Sequence, residues 1–451
     1  MNEKDEFFGK LWKIVSKSSG KVMEAADPND PQYGVNIRQN DWNGGSNQKF
    51  LLIPTKPPAK EGDRALNYYI IAYYSGAAIA AQHCWDNLDI GINVWQFDFN
   101  GTDGQQWQLK SIEEHSYIFL SKCFNRNMCI GVSYDTWLPR DNYKTLLGLQ
   151  IAEAINIIDI WTIDRPKKLL DYISKFGTNK ALFKPYLPHK SGHDASYYLA
   201  LLPKEFKLIK GNNVDVQTYS ANDNNQIWKI EQVGEINLPE LKKSPVDYGD
   251  KGMGNSLPKI NNLNELPPGS TKPVLIYEEY LPFIYVNDDQ LNTQRQSLES
   301  PYYILSLEQL WVYSNQSAEV VPGRETTFRL KRRIGMTQEH KTSMEKVLTK
   351  KISTDVKIGY KDVINLGVSG EISSETKTVW ESSTKFELEK EEEIEIKYSS
   401  PKRVNMFQYQ LIDRYTLYRM NRSKVESFDV QTPFTKMVTY PKDHGMLASI
   451  S

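Results

Sequence analysis

The chain has 451 residues, enough for two ordinary domains, and its 55 basic and 56 acidic residues leave a net charge of −1. Such a balance supplies no long-range field to draw in nucleic acid or an anionic membrane. Aromatic residues make up 12% of the chain, 26 of them tyrosine, which suits pleated, half-buried surfaces. The opening MNEKDEFFGK is charged and lacks the apolar core of a secretory signal peptide. The most apolar stretch, Tyr68 to Ala81, is interrupted by Ser75 and is too short for a spanning helix. The reading is of a chain made soluble, with any membrane role reached by refolding or through a partner. Cys84, Cys123 and Cys129 are odd in number and match no zinc spacing, and their placement admits a short Cys123–Cys129 bridge in an oxidising medium.

From about residue 10 to 232 a unit recurs: a short alternating strand, a Gly- or Asn-containing turn, then Gln-x-aromatic and another strand. It closes on Gln48 and Phe50, on Gln105 and Trp107, on Asp159 and Trp161, and on Gln226 and Trp228. The aromatics Phe50, Trp107, Trp161 and Trp228 are expected in a shared core. The glutamine two residues earlier lies on the same side of a strand and can hold the turn above it. This resembles the ricin-B-type β-trefoil. A trefoil has three units and four closing motifs are present, spaced 57, 54 and 67 residues apart, so either one unit is an insertion or the loops are long.

Within that resemblance the best candidate sugar site is in the second unit. Trp95 stands twelve residues before Trp107, where ricin-like lectins place the ring that stacks on a sugar, with Asn100, Asp103 and Gln105 in the intervening turn. A sugar's C–H face suits an aromatic ring, and amide and acid groups hold its hydroxyls. The position of the sugar-holding acid falls on Ala80, with Asp86 and Asp89 nearby. In the fourth unit Asn225 and Gln226 match the motif while Val216 occupies the stacking position. The competing reading is that these residues only build the trefoil.

Residues 1–234 are therefore read as a lectin-like domain with long loops or an insertion, and 235–272 as an extended, Pro-rich surface linker. In residues 273–451 the texture changes. From Ile352 to Ile372, eight of eleven even positions are apolar against one of ten odd ones, a strong period-two signal. The same parity continues through Phe386, Leu388, Ile394, Ile396 and Tyr398, although the Glu- and Lys-rich run 386–398 could also be a helix. Segment 352–372 reads either as a half-buried hairpin of the soluble domain or as an inserting one. In the second reading Ile352, Val356, Ile358, Tyr360, Ile364, Leu366, Val368 and Ile372 face lipid, and each arm has the ~9–11 residues a tilted strand needs to cross the hydrocarbon core.

The stretches LPFIYVNDDQ (281–290), SPYYILSLEQLW (300–311), RYTLYR (414–419) and TYP (439–441) resemble blocks of the binary-toxin-like insecticidal crystal proteins of spore-forming bacilli, the Tpp class. The resemblance runs over roughly residues 270–445, with Phe283 where several members carry Cys. It implies an all-β fold, an N-terminal β-trefoil joined to an elongated aerolysin-like antiparallel sheet domain. It implies a pore-forming toxin, deposited in parasporal crystals and released in the gut lumen. Its expected partners are an insect midgut glycan or glycoprotein receptor, a second toxin protein, further subunits of a homo- or hetero-oligomer, and the target membrane. The alternative function is a non-inserting receptor-binding subunit of a two-component toxin. No catalytic or metal-binding arrangement competes: the six histidines form no HExxH pattern, and neither a phosphate loop nor a G-x-S-x-G elbow is present. No cofactor and no nucleic acid are expected.

Overall fold

The computed structural model describes residues 6–25, 35–55, 67–81, 92–123, 128–132, 179–183, 198–202, 214–220, 223–242, 257, 267–348, 387–440 and 447–450. The N-terminal strands are β1 (Lys10–Ser16), β2 (Val22–Ala25), β3 (Val35–Asn40), β4 (Phe50–Pro54), β5 (Tyr68–Ala72), β6 (Ala78–Ala81), β7 (Ile92–Phe97), β8 (Trp107–Glu113), β9 (Ser116–Ser121) and β10 (Met128–Val132). They are followed by β11 (Asn179–Phe183), β12 (Tyr198–Leu202), β13 (Val214–Thr218) and β14 (Trp228–Glu235). All but β11 and β12 join one twelve-stranded sheet.

Six of these strands close a ring in the order β1, β14, β9, β8, β5, β4 and back to β1. Closure leaves the ring no unpaired edge. Three ladder contacts around it are equivalent: Trp12 opposite Phe50, Tyr68 opposite Trp107, and Tyr117 opposite Trp228. Phe7 packs edge-on against Trp12, Tyr68 and Tyr117 at centroid distances of 5.3, 5.3 and 6.2 Å. One phenyl ring thus fills the pseudo-threefold axis, each contact adding about 0.5–1.5 kcal/mol beyond its buried area. The remaining strands form three hairpins, β2–β3, β6–β7 and β10–β13.

Three of the four closing motifs, those ending on Phe50, Trp107 and Trp228, stand at the three ladder contacts of the ring. The third unit opens at β9 and closes at β14, and residues 133–213 are inserted between the hairpin partners β10 and β13. The Asp159–Trp161 motif falls in that insertion. Trp161 itself lies outside the described residues, and the three equivalent ring contacts are made without it. The Cys123–Cys129 bridge is not formed: Cys123 is in a disulfide, whereas Cys129 is a buried thiol. Cys129 sits in the β10 ladder opposite Gln217, in a small apolar cluster with Ile118, Leu120 and Ile227.

The C-terminal strands are β15 (Val274–Pro282), β16 (Tyr302–Val320), β17 (Glu325–Ile334), β18 (Lys390–Ser399), β19 (Val404–Arg419), β20 (Lys424–Tyr440) and β21 (Leu447–Ile450), with helices α1 (Thr293–Glu299) and α2 (Gln338–Leu348). A four-stranded sheet runs β15, β16, β19, β20 and a three-stranded one β17, β18, β21. Strands β16, β19 and β20 have 19, 16 and 17 residues, three times the common length. The Glu- and Lys-rich run is strand, not helix, over Lys390–Ser399, because Ile394, Ile396 and Tyr398 alternate into a core with Val320, Leu330, Val404 and Met406. Period two aligns these apolar side chains on one face, whereas a helix would scatter them. The described residues are thus mostly β-sheet with few helices.

The described ends of the linker are fastened down. Ile236 N–H donates to the Gly9 carbonyl at 2.8 Å, the Tyr409 hydroxyl to the Pro268 carbonyl at 2.8 Å, and Tyr313 N–H to the Gly269 carbonyl at 2.9 Å. One buried cluster spans both parts of the chain, joining Leu51, Ile53, Tyr69 and Ile71 to Phe283, Tyr285, Leu305, Met344 and Tyr415. Gly76, at φ +73°, lies where an added Cβ would come within 2.6 Å of the Thr293 carbonyl. A side chain there would wedge the β5–β6 turn away from α1.

Candidate functional site

Each Gln-x-aromatic motif is a short 3₁₀ turn whose glutamine is swallowed by its own loop. Gln105 Oε1 accepts from Asn100 N–H (2.9 Å) and Gly101 N–H (3.1 Å), and its Nε2 donates to the Asp98 carbonyl (2.7 Å). Gln48 Oε1 accepts from Asn43 N–H at 2.8 Å and Gln226 Oε1 from Ser220 N–H at 2.8 Å. All three glutamines are at most 2% exposed, and Phe50, Trp107 and Trp228 are 0% exposed. The Trp107 and Trp228 indoles donate to the Ile79 and Ile130 carbonyls at 2.9 and 3.1 Å. The glutamine therefore satisfies loop backbone groups that burial would otherwise orphan.

The expected sugar residues of the second unit come together on one loop, with different employment. Trp95 is half-buried on β7 opposite Ala80 and stacks on Phe97, centroids 5.2 Å apart. Asn100 Oδ1 accepts from Thr102 N–H and Oγ1 at 3.1 and 2.8 Å, which closes the turn. Asp103 pairs with Lys122 at 2.8 Å. In the third unit Asn225 is bound to Asp223 Oδ1 through both its backbone N–H (2.9 Å) and its side-chain amide (2.8 Å). Asn100, Gln105, Asn225 and Gln226 thus have their described polar groups engaged in holding loops.

One constellation escaped the sequence reading. In the first unit Glu24 occupies the position Ala80 holds in the second, and Arg38 the position of Trp95. Glu24, 2% exposed, accepts from Arg38 Nη2 (2.7 Å) and Nε (3.0 Å), Gln48 Nε2 (2.7 Å) and Asn40 Nδ2 (3.2 Å). An acid at the sugar-holding position is therefore filled by an intramolecular guanidinium. The Asn47–Gln48 pair, which repeats Asn225–Gln226, was the signal that could have found it.

In the long sheet the quoted motif blocks converge. Asp288, of the first block, receives Arg419 Nε and Nη2 at 2.7 Å each and the Tyr303 hydroxyl at 2.9 Å. Burial raises the Asp288 pKa, but the Arg419, Gln290 and Tyr303 hydrogen bonds outweigh it and hold the carboxyl below the usual range. Asp413 on β19 is 1% exposed and accepts from Gln309 Nε2 at 2.7 Å. Desolvation pushes its pKa up to about 7, against that hydrogen bond. On the outward face of β17 and β18, Arg329, Lys331 and Arg333 meet Glu389, Glu391, Glu393 and Glu395 in a ladder with contacts from 2.6 to 4.0 Å.

The period-two segment from Ile352 to Ile372, expected as a hairpin, lies outside the described residues. In the chain it falls between α2 and β18. Among the described residues no helix is long and apolar enough to cross a membrane, which leaves β-strand crossing untouched, and no three His, Cys, Asp or Glu groups could hold a metal.

Residues 274–442 match the family model described as insecticidal crystal toxin, P42. The sequence resemblance, expected over 270–445, is met in place and extent. Over 221 residues, 47% of this chain, it is 27% identical to the insecticidal crystal protein Cry35Ab1 of Bacillus thuringiensis, and the match spans only 55% of that protein's length. The crystal structure of Cry35Ab1 aligns with 96% of this chain and 90% of its own, at a TM-score of 0.55 and 16% identity, a likeness of fold. The designed threefold-symmetric protein ThreeFoil aligns with 49% of this chain at 19% identity and a TM-score of 0.29.

Proposed function

We propose that this chain, a relative of the binary-toxin-like insecticidal crystal proteins, is a β-pore-forming toxin built from a β-trefoil over residues 1–234, a linker over 235–272 and an aerolysin-like domain over 273–451. The trefoil docks on a midgut glycan or glycoprotein, with the open face of Trp95 as its stacking surface. The aerolysin-like domain then oligomerises and delivers the 352–372 hairpin to the membrane, in company with a second toxin protein. The chain reaches the gut lumen from a parasporal crystal inclusion.

The observation that carries this reading is the pairing of β17 with β18 in unbroken register from Glu325 opposite Ser399 to Ile334 opposite Lys390. Two antiparallel neighbours thus flank the stretch that holds α2 and, after it, the period-two segment. An extension of that ribbon through the segment meets the demand that every backbone group in lipid be paired. The long strands of the flanking sheet support the same elongated architecture.

Dye release from liposomes, with protease-treated protein alone and with candidate partner toxins, tests it. Val356→Cys and Ile364→Cys, each carrying an environment-sensitive dye, are expected to shift to apolar emission on liposomes as release begins. Emission from both positions that stays aqueous while release proceeds sinks the hairpin assignment. Binding to midgut vesicles without release under any combination favours the non-inserting subunit.

A further inference from the structure

An unpaired strand edge is a template for pairing with another chain. Strand β17 is an edge of the three-stranded sheet, and in this chain side chains close it. The β16–β19 ladder breaks between Tyr313 and Ser317, where Asn315 takes φ 56°. That bulge turns Gln316 toward β17. Its Oε1 accepts from Lys331 N–H at 2.7 Å, and its Nε2 donates to the Lys331 carbonyl. One side-chain amide thus stands where the peptide group of a further strand would stand. Gln408 Nε2 donates to the same carbonyl at 3.3 Å, and Gln410 Nε2 to the Arg333 carbonyl. Gln408 is 0% exposed, and its Oε1 finds no donor among the described residues, an arrangement that costs stability. Gln316 and Gln408 give their described amide bonds to β17, while the Gln410 amide is shared between the Arg333 carbonyl and the Thr432 carbonyl of β20 (2.8 Å).

The opposite edge of the same sheet offers the complement. β21 pairs with β18 only at Ile396, Lys397 and Tyr398. Along Lys390–Glu395 the outer side of β18 carries no strand among the described residues. Its outward face bears Glu391, Glu393 and Glu395 against Arg329, Lys331 and Arg333 of β17, and the whole strand carries four glutamates to two lysines. Carboxylates are in excess on β18, so a second basic strand on its other side would be attracted, not repelled. Adding the β17 of another copy there repeats the antiparallel geometry already made within the chain. Such a contact is heterologous, and its repetition closes a ring when the rotation permits.

We propose that Gln316, Gln408 and Gln410 guard the β17 edge against premature pairing, and that the occupant of that edge, once the amides withdraw, is β18 of a second copy of this chain. The proposal rests on the pore-forming reading for its setting and adds to it the interface and its gate.

Two full-length variants with one added cysteine each test it, Lys331→Cys in one preparation and Glu393→Cys in the other. Those positions face each other within one chain, so neither variant can bridge its own engineered pair. Mixed on liposomes and oxidised, they are expected to give a disulfide-linked heterodimer, and adding Gln316→Ala to the Lys331→Cys chain to lower the protein concentration for half-yield roughly tenfold. No heterodimer, or a yield indifferent to Gln316→Ala, overturns the proposal. Dye release by the wild type, with no cross-link between the two variants, rejects this interface and leaves the pore-forming reading standing. The gated cross-link without dye release upholds the interface and rejects the pore.

Discussion

Among single residues, Asp413 is the one whose surroundings make the sharpest demand. Its carboxyl is buried on β19 with one Gln309 hydrogen bond, and Oδ2 accepts none among the described residues. A pKa of about 7 in the folded chain, against an ordinary value of 3.8, means that the folded state holds a proton the unfolded state releases. The stability this brings is complete below about pH 4 and is lost as pH rises to about 7, by about 4 kcal/mol. Urea denaturation of the wild type between pH 4.5 and 8 is expected to show that decline. Asp413→Asn, isosteric and permanently neutral, is expected to flatten it and to be the more stable protein at pH 8. An unchanged slope in the variant would assign the pH dependence to other groups. Gln105 and Asn100 make the complementary point. They are expected as sugar-holding residues of the motif, and their hydrogen bonds go to the loop.

Among elements, the lesson lies in how the C-terminal motif blocks meet. Asp288 follows β15, Tyr303 begins β16 and Arg419 ends β19, and the three form one buried network. Arg419→Ala would leave the Asp288 carboxylate buried without its cation, and a loss of about 3–5 kcal/mol is expected, read as a lower urea midpoint. Restoring charge with Arg419→Lys should recover only part of it, because an ammonium cannot make the two-pronged contact. Full recovery by lysine would show that charge alone matters. Sequence reading found these blocks as strings and had no means of seeing that they share one ion pair. It did resolve β18, since the spacing of Ile394, Ile396 and Tyr398 survives any tertiary arrangement.

For the whole molecule, the two parts are coupled more tightly than a linker suggests. Phe7 plugs the ring of β1, β4, β5, β8, β9 and β14 while Phe8 packs on Tyr280 and Tyr302, centroids 5.6 and 5.0 Å away. The core that joins Tyr69 and Ile71 to Phe283 and Tyr285 is continuous. A shared core melts as a unit, so one calorimetric transition is expected for the full chain, with coincident tryptophan-fluorescence and far-UV curves. Gly76→Ala should lower its midpoint, since the added methyl meets the Thr293 backbone and the positive φ is strained for alanine. Two separated transitions would contradict the shared core.

The sequence by itself determined the β character, the aromatic cores at Phe50, Trp107 and Trp228, the strand at β18 and the kinship with insecticidal crystal toxins. The first three rest on local period and spacing and the kinship on the resemblance of short sequence blocks, all of which a linear string preserves. Only the tertiary structure decided which of four closing motifs complete the ring, that residues 133–213 are an insertion, that Glu24 is consumed by Arg38, and that three glutamines clasp the β17 edge. Each depends on contacts between residues far apart in the chain, where burial and hydrogen-bond competition, not residue type, assign the partner.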